Sequence, residues 1–258
     1  MNETYIPCDI LKPYVRTFII SDPLPERTYK VLPDTGVVIG FQYTGKLFFL
    51  EDGKEMPLAA SGVTGLRDRY RVFRNSSETG SVLVFFKEVG AAPFFRQPVH
   101  EIFMESISME NFMLRSELLI FEEQLCAART NPDRIKVVES FLIARMSPHT
   151  EDKLVTTALA LIHQNKGNIR INQLAQQLNI SQSPLEKRFR KVVGASPKKF
   201  ASIVRLKQAI ANYNPEGSFT GLGYEAGFYD QAHFIKEFRN FTGETPESFF
   251  RKRPDNTP

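Results

Sequence analysis

The sequence predicts a two-domain α+β protein, with a β-rich N-terminal domain and an all-α C-terminal domain. Three observations predict this fold class. Residues 1–108 contain short β-branched and aromatic segments, residues 109–148 change to apolar spacings of three and four, and the last third repeats one helical pattern. At 258 residues, the chain is long enough for two domains that each bury a core.

The N-terminal segments have the composition of strands. Residues 37–41, 46–50 and 81–86 are rich in Val, Ile, Leu and Phe and are bounded by Gly, Pro, Asp and Asn. Asp52-Gly53 fits a hairpin turn. Because such strands follow one another without long helical patterns between them, residues 1–108 are predicted to form a sandwich or a small barrel.

Residues 109–148 are predicted to form a pair of helices, divided by the break at residues 131–133. The two apolar stripes are Leu114, Leu118, Phe121 and Leu125, then Ile135, Val138, Leu142 and Ile143. The pair either covers the sheet or joins two subunits through an exposed apolar stripe.

Residues 149–253 are predicted to be helical, and residues 254–258 are predicted to be disordered. A first helix, residues 152–164, precedes Gly167-Asn168. Its apolar stripe is Leu154, Ala158, Leu161 and Ile162. From residue 151 onward there are 16 Lys and Arg against 10 Asp and Glu, a net charge of +6, whereas the first 150 residues have a net charge of −2. A basic C-terminal part favours a polyanionic partner.

The C-terminal part contains two copies of one structural unit. Leu174-Ala175, Ile180, Leu185, Phe189, Gly194, Pro197 and Phe200 correspond to Leu222-Gly223, Phe228, Phe234, Phe238, Gly243, Pro246 and Phe249. The offset is 48 before the turn and 49 after it, so one residue has been added at the bend. Each copy predicts a short helix, a tight turn and a longer helix.

The turn residues support this interpretation. Ser181 and Asp230 stand at the predicted N-caps of the longer helices, where a side-chain oxygen accepts from free backbone amides. Pro184 falls in the first turn, where its missing N–H costs nothing. Gly227 is predicted to adopt a left-handed or crowded conformation.

These strings resemble the double helix-turn-helix domain of the AraC family of bacterial transcription regulators. The first group is Leu174-Ala175 with Ser181, Leu185 with Phe189, and Gly194-Ala195-Ser196-Pro197; the second is Gly227-Phe228-Tyr229-Asp230-Gln231, Phe234 with Phe238, and Gly243-Glu244-Thr245-Pro246. The resemblance implies about seven helices, in which a central helix, residues 197–212, joins the two motifs.

The resemblance also implies a DNA-binding surface, because an α-helix fits the major groove. Two recognition helices about 34 Å apart would enter successive grooves. The candidates for base or groove contact are Gln182, Ser183, Glu186, Lys187, Gln231, His233 and Lys236; those for phosphate contact are Arg190, Lys191, Lys198, Lys199 and Arg239. The alternative for each is a solvated helix face. Arg205 either binds phosphate or forms a structural ion pair, and His233 is alternatively a partly packed side chain.

Three residues depart from the family pattern. Gly223 stands where alanine is usual, and Lys187 and Lys236 stand where arginine is common. A lysine makes a single-point contact where an arginine makes a bidentate contact to guanine.

The N-terminal part resembles the β-rich, cupin-like sensor domain of some AraC-like regulators. The similar strings are Leu32-Pro33-Asp34, Phe85-Phe86-Lys87-Glu88-Val89-Gly90-Ala91 and Pro98-Val99-His100-Glu101. The resemblance implies either an effector pocket or a scaffold that pairs subunits. Arg67, Arg69, Arg71 and Arg74 either receive an anionic ligand or form a solvated strand face.

Composition makes other classes of protein less favourable. Cys8 and Cys126 are far apart, and the four histidines form no pair at metal-ligand spacing, so no disulfide, metal or cofactor is expected. Cys126 falls on a predicted apolar stripe. No apolar run is long enough for a membrane helix and no signal peptide is evident, which predicts a cytoplasmic protein without membrane contact.

The sequence therefore predicts a non-enzymatic transcription regulator that binds double-stranded DNA and whose N-terminal domain senses a small-molecule effector or forms a homodimer. Two alternatives remain. One is a DNA-repair enzyme that uses a nucleophilic cysteine, and the other is a module that binds a protein such as RNA polymerase.

Overall fold

The N-terminal part of the molecule consists of two antiparallel sheets, as seen in a computed structural model that describes residues 2–251. The strands are β1 (Asn2–Tyr5), β2 (Val15–Leu24), β3 (Arg27–Val31), β4 (Val38–Thr44), β5 (Leu47–Glu51), β6 (Lys54–Pro57), β7 (Ser61–Thr64), β8 (Arg71–Asn75), β9 (Thr79–Phe86) and β10 (Ser106–Ser108). A six-stranded sheet has the order β1-β2-β9-β4-β7-β10, and a four-stranded sheet has the order β3-β8-β5-β6. The predicted β-rich fold is confirmed. We call residues 2–108 the β region.

Alternation along the strands of the larger sheet places its apolar side chains in one core. Phe18 on β2 is opposite Val84 on β9, and Val84 is opposite Ile39 on β4. All three side chains are almost completely buried. Asp52 and Gly53 join β5 to β6 with φ angles of 50° and 76°, so the predicted hairpin turn is confirmed.

Two helices, α1 (Arg115–Ala127) and α2 (Asn131–Arg145), cover the larger sheet. Phe41 of β4 lies 4.7 Å from Phe121 and 5.7 Å from Phe141, measured between ring centroids. Of the two roles open to this pair, the structure shows the covering one, and subunit joining stays a prediction. The expectation for Leu114 is wrong: it is the N-cap of α1 and is 67% exposed, because the buried stripe begins one turn later at Leu118.

The rest of the described chain is helical. Its helices are α3 (Lys153–Gln164), α4 (Ile171–Gln177), α5 (Gln182–Val193), α6 (Pro197–Ala211), α7 (Phe219–Glu225), α8 (Gln231–Thr242) and α9 (Pro246–Arg251). In α3 the buried stripe is Val155, Ala158, Leu159 and Ile162. The predicted stripe was therefore partly wrong, because Leu154 and Leu161 are only half-buried at its margin. Residues 252 and 253 of the predicted domain, and the predicted disordered residues 254–258, lie outside the described residues.

We call α4 and α5 the first motif and α7 and α8 the second motif. The first motif shares a continuous apolar core with the β region, through residues such as Leu185 and Phe189. The second motif has a separate core of Phe228, Phe234, Phe238, Phe241, Phe249 and Phe250 with Ile203, Leu206, Ala209 and Leu222. Leu32 of the β region packs only at its margin. The two motifs are therefore attached to the β region in different ways.

Polar contacts connect the β region to the helical part. Lys30 Nζ lies 2.7 Å from Glu244 Oε1, just beyond α8. Asp34 is paired with both Arg16 and Lys207 of α6. Two of these pairs link the β region to α6 and to the residue just beyond α8, on the side of the molecule where the shared apolar core is small.

The helices described in residues 2–251 include none with the length and apolar character required to cross a bilayer.

Candidate nucleic-acid interface

The first motif buries one side of α5 and exposes the other. Leu185, Phe189 and Val193 are fully buried, and their spacing of four places them on one face of the helix. The opposite face carries the exposed candidates Gln182, Ser183, Glu186, Lys187, Arg190 and Lys191. Arg190 Nη1 lies 3.7 Å from Glu186 Oε1, one turn earlier. The exposed face is therefore polar and cationic.

Ser181 is the N-cap of α5, but its side chain makes no capping hydrogen bond. The predicted hydroxyl contact is wrong, although the position of the cap is right. The extended backbone of Ser181, with φ −77° and ψ 158°, starts the helix without it.

The second motif repeats this arrangement with aromatic residues. Phe234, Phe238 and Phe241 are buried, and Asp230 caps α8 by accepting a 2.7 Å hydrogen bond from the His233 amide. Exposed on the other side are Gln231, Ala232, His233, Lys236 and Arg239, whereas Ile235 is half-buried. His233 is exposed, and its ring centroid lies 5.4 Å from that of Phe228 in an edge-to-face arrangement. The side chain is therefore accessible to solvent and also contacts Phe228.

The structure identifies the residue added in the second motif. Ser181 and Asp230 are both N-caps, and Ile180 corresponds to Phe228. Tyr229 therefore has no counterpart in the first motif. It is 90% exposed and stands directly before α8. Sequence reasoning detected the insertion but did not consider this tyrosine for the interface. The signal was available as a large aromatic residue at the point where the offset changes from 48 to 49.

The turns of both motifs use a left-handed residue. Gly227 has φ 76° and Asn179, its counterpart, has φ 50°. The prediction for Gly227 is confirmed. A Cβ at Gly227 would also overlap the side-chain amide of Asn168, so the turn is both left-handed and crowded.

Gly227→Ala should therefore destabilise the second motif by about 1–2 kcal/mol through the left-handed backbone alone. The matched variant Asn179→Gly removes a side chain from the equivalent turn and should change stability by no more than about 0.5 kcal/mol. Urea unfolding of both variants checks this, and equal effects at the two positions would contradict it.

Arg205 of α6 lies where the two motifs meet. Its guanidinium carbon is 4.2 Å from the centre of the Phe228 ring, and burial lowers its pKa while Glu237 opposes that shift. It lines a groove of about 970 Å³ together with Asn168, Arg170, Gln173 and Tyr229. The geometry shows Arg205 packed against Phe228, which is neither of the two roles considered for it, and phosphate binding stays a prediction.

Lys199, another cation of the helical part, is turned toward a protein partner. Lys199 is paired with Asp68 of the β region, and its Nζ lies 5.4 Å from the centre of the Phe103 ring. The Lys199 ammonium group therefore lies against the β region. The sequence alone does not predict this contact. Lys198 beside it is exposed.

Arg188 fixes α5 against the start of α3. Its Nε and Nη2 donate hydrogen bonds of 2.9 and 2.6 Å to the carboxylate of Asp152. Burial would raise the pKa of Asp152, but Arg188 and the Val155 amide outweigh it and the pKa is lowered. The charge of Arg188 is therefore committed to holding the first motif in place.

The arginines of the β region do not form the strand face considered for them. Arg67 and Arg69 precede β8, while Arg71 and Arg74, three residues apart, lie on opposite faces of it. Arg71 is buried beside Ser106, and Arg74 pairs with Glu26 and Glu55. The alternate spacing of the arginines did not predict a shared strand face correctly, because the strand begins only at residue 71.

Cys126 is exposed, with its Sγ 3.5 Å from the Tyr43 carbonyl oxygen, so its expected place on the apolar stripe is wrong. The stripe of α1 ends at Leu125. Among residues 2–251, no group of three His, Cys, Asp or Glu side chains is placed to hold a metal ion.

Comparison with known proteins agrees with the geometry of the two motifs. Residues 174–252 match a family described as a helix-turn-helix domain, and residues 3–108 match a domain of unknown function, DUF6597. The helical domain that contains the two motifs belongs to the AraC family.

Relatives of the AraC-type domain are named as regulators. The Msm operon regulatory protein of Streptococcus mutans is 31% identical over 124 residues, which cover 46% of this chain and 45% of that protein. An uncharacterized HTH-type transcriptional regulator of Haemophilus influenzae is 31% identical over 101 residues, covering 38% of this chain and 34% of that one. The chain thus spans less than half the length of the curated relatives that it matches.

A solved structure of ToxT from Vibrio cholerae is similar over 98% of this chain and 99% of its own, with 10% identity and a TM-score of 0.48. A similarity this loose transfers no residue role to the AraC-type domain.

Proposed function

We propose that this protein is a sequence-specific DNA-binding transcription regulator that inserts α5 and α8 into successive major grooves. The observation that carries the proposal is the pair of helices with matched buried faces and different exposed faces. A groove distinguishes base pairs by donor and acceptor patterns, so unlike faces on one shared fold suit the reading of two unlike half-sites. The names of the relatives support this proposal over a repair enzyme or a protein-binding module alone.

The exposed residues divide into two proposed roles. Those near the N-terminal ends of α5 and α8 contact bases or groove edges: Gln182, Ser183, Glu186, Lys187, Gln231, His233 and Lys236. Phosphate contacts come from Arg190, Lys191, Lys198 and Arg239. Lys199 joins them only if its contact with Asp68 is released.

We propose three parts for the chain: a β-rich regulatory domain, residues 1–108, a helical linker, residues 109–148, and the DNA-binding domain, residues 149–253. The first domain acts by binding a small-molecule effector or by pairing subunits. Exposed Leu119 and Ile120 on α1 support pairing. Such a regulator acts in the bacterial cytoplasm, where contact with RNA polymerase would accompany DNA binding.

Selection of duplexes from a random pool by the full chain tests the proposal. Enriched duplexes should share two short elements about one helical turn apart, and a footprint should protect both. Gln182→Ala should relax base preference in one element and Gln231→Ala in the other, each by about 1 kcal/mol. Gln124→Ala, an exposed glutamine on α1, serves as the control. Enrichment of no shared element, with uniform coating of any duplex, would contradict the proposal.

A further inference from the structure

The outer face of α8 looks across a cleft toward the β region. One wall of this cleft, about 1030 Å³ in volume, contains Ala232, Ile235, Lys236, Glu237, Arg239, Asn240 and Gly243. Arg69 and Tyr70, from the segment between β7 and β8, form the other wall. The helix face proposed to read DNA therefore has a part of the β region beside it.

The β-region wall is held in place at the C-terminal end of α8. A Cβ added to Gly243, which has φ 80°, would lie 2.7 Å from the ring of Tyr70. Lys30 Nζ lies 4.9 Å from the centre of that ring and 2.7 Å from Glu244. These contacts position Arg69 at the edge of the cleft.

The cleft is cationic on both walls. Lys236 and Arg239 face it from α8 and Arg69 from the β region, against the single carboxylate of Glu237 among the residues that line it. The Arg69 side chain is 58% exposed, and its Nε lies 3.4 Å from Asp68 Oδ1. Asp68 is also paired with Lys199, so one carboxylate is shared by two cations. The positive charge of Arg69 is therefore only partly neutralised by Asp68 and is available to an anionic partner.

We propose that the β region forms part of the DNA interface, with Arg69 contacting a backbone phosphate beside the groove that α8 enters. The inference rests on the proposed function. A duplex that receives α8 in its major groove has a sugar-phosphate strand on each side of the helix, and one of them lies in this cleft. The cations of both walls then meet that strand. Contact by the β region extends the protected DNA on the side of the second motif.

Salt titration of full-length Arg69→Ala tests the inference against a matched variant. Arg115→Ala removes an arginine of α1 whose side chain is 76% exposed and whose Nε lies 3.5 Å from Glu110, so the change in net charge is the same. Loss of one phosphate contact reduces the salt slope by about 0.9, so the affinity ratio of wild type to Arg69→Ala should fall about 3.5-fold between 50 and 200 mM salt. Arg115→Ala should keep the wild-type slope, and Arg69→Lys should largely restore it.

Two results separate failure of this inference from failure of the proposed function. Equal slopes for wild type, Arg69→Ala and Arg115→Ala on a selected duplex would overturn the contact and leave sequence-specific binding intact. Tighter binding by Arg69→Ala would also overturn it, because the segment would then obstruct the duplex. Failure of the wild type to enrich any sequence would instead count against the proposed function.

Discussion

Phe238→Ala should destabilise the second motif by about 3–5 kcal/mol, as expected for truncation of a fully buried phenylalanine. Phe238 is fully buried, and its ring lies 5.6 Å from Phe234, 5.4 Å from Phe249 and 5.7 Å from Phe250. Truncation removes the contacts that α8 makes with both α9 and its own first turn. The cavity forms in a core that the β region barely touches, so the loss should be local.

Hydrogen exchange measures this locality directly. In Phe238→Ala, the free energy of local opening measured at the α8 amides should be lower than in the wild type. The α5 amides should keep their wild-type protection. Footprinting should show loss of one half-site and retention of the other.

Phe189→Ala is the matched control in the first motif. Phe189 is equally buried but belongs to the core shared with the β region, so its truncation should lower the stability of α5 and the larger sheet together. If Phe238→Ala instead lowered protection evenly through the whole chain, the separation of the two cores would be wrong.

The division between these cores marks a limit of prediction from sequence. Phe189 and Phe238 occupy equivalent places in the repeat, and their burial could be predicted because local periodicity specifies it. The residues that pack around them could not be predicted in this way. The periodicity of α5 carries no information about Val99, whose Cγ1 would lie 2.9 Å from a Cβ at Gly194. Such contacts depend on how the two parts of the chain dock.

The same limit applies to prediction of the candidate interface from the sequence. The exposure of Lys187 and Lys236 follows from the buried positions beside them, and the structure places both as expected. The pairing of Lys199 with Asp68 joins residues far apart in the chain, so no local pattern indicates it. In the sequence Arg69 is one member of an arginine run, and its place beside α8 depends on the contact between Tyr70 and Gly243. For Lys187 and Lys236 the sequence therefore predicts exposure to solvent, whereas docking decides which exposed residues remain available to DNA.

Docking of the helical part also gives the molecule a specific pH dependence through Asp34. Its side chain is 23% exposed and is paired with Arg16 and with Lys207 of α6. Burial would raise the pKa of Asp34, but the two cations outweigh it and lower the pKa from 3.8 to about 2. A lowered carboxyl pKa stabilises the fold above the unfolded value of 3.8, and that stability is lost as the pH falls toward 2.

Asp34→Asn should therefore cost about 2.5 kcal/mol of unfolding free energy at pH 7. Asparagine keeps an oxygen to accept the 2.8 Å hydrogen bond from the Thr35 amide, so the change removes the charge and the acceptor for Arg16 but keeps this contact. In urea unfolding, the difference in unfolding free energy between wild type and variant should be constant above about pH 5 and should shrink as the pH falls toward 2. Asp9→Asn is the control, because Asp9 is exposed and its ion pair is with Lys12, nearby in sequence. A difference that stayed the same at every pH would show that packing, and not the charge of Asp34, holds α6 against the β region.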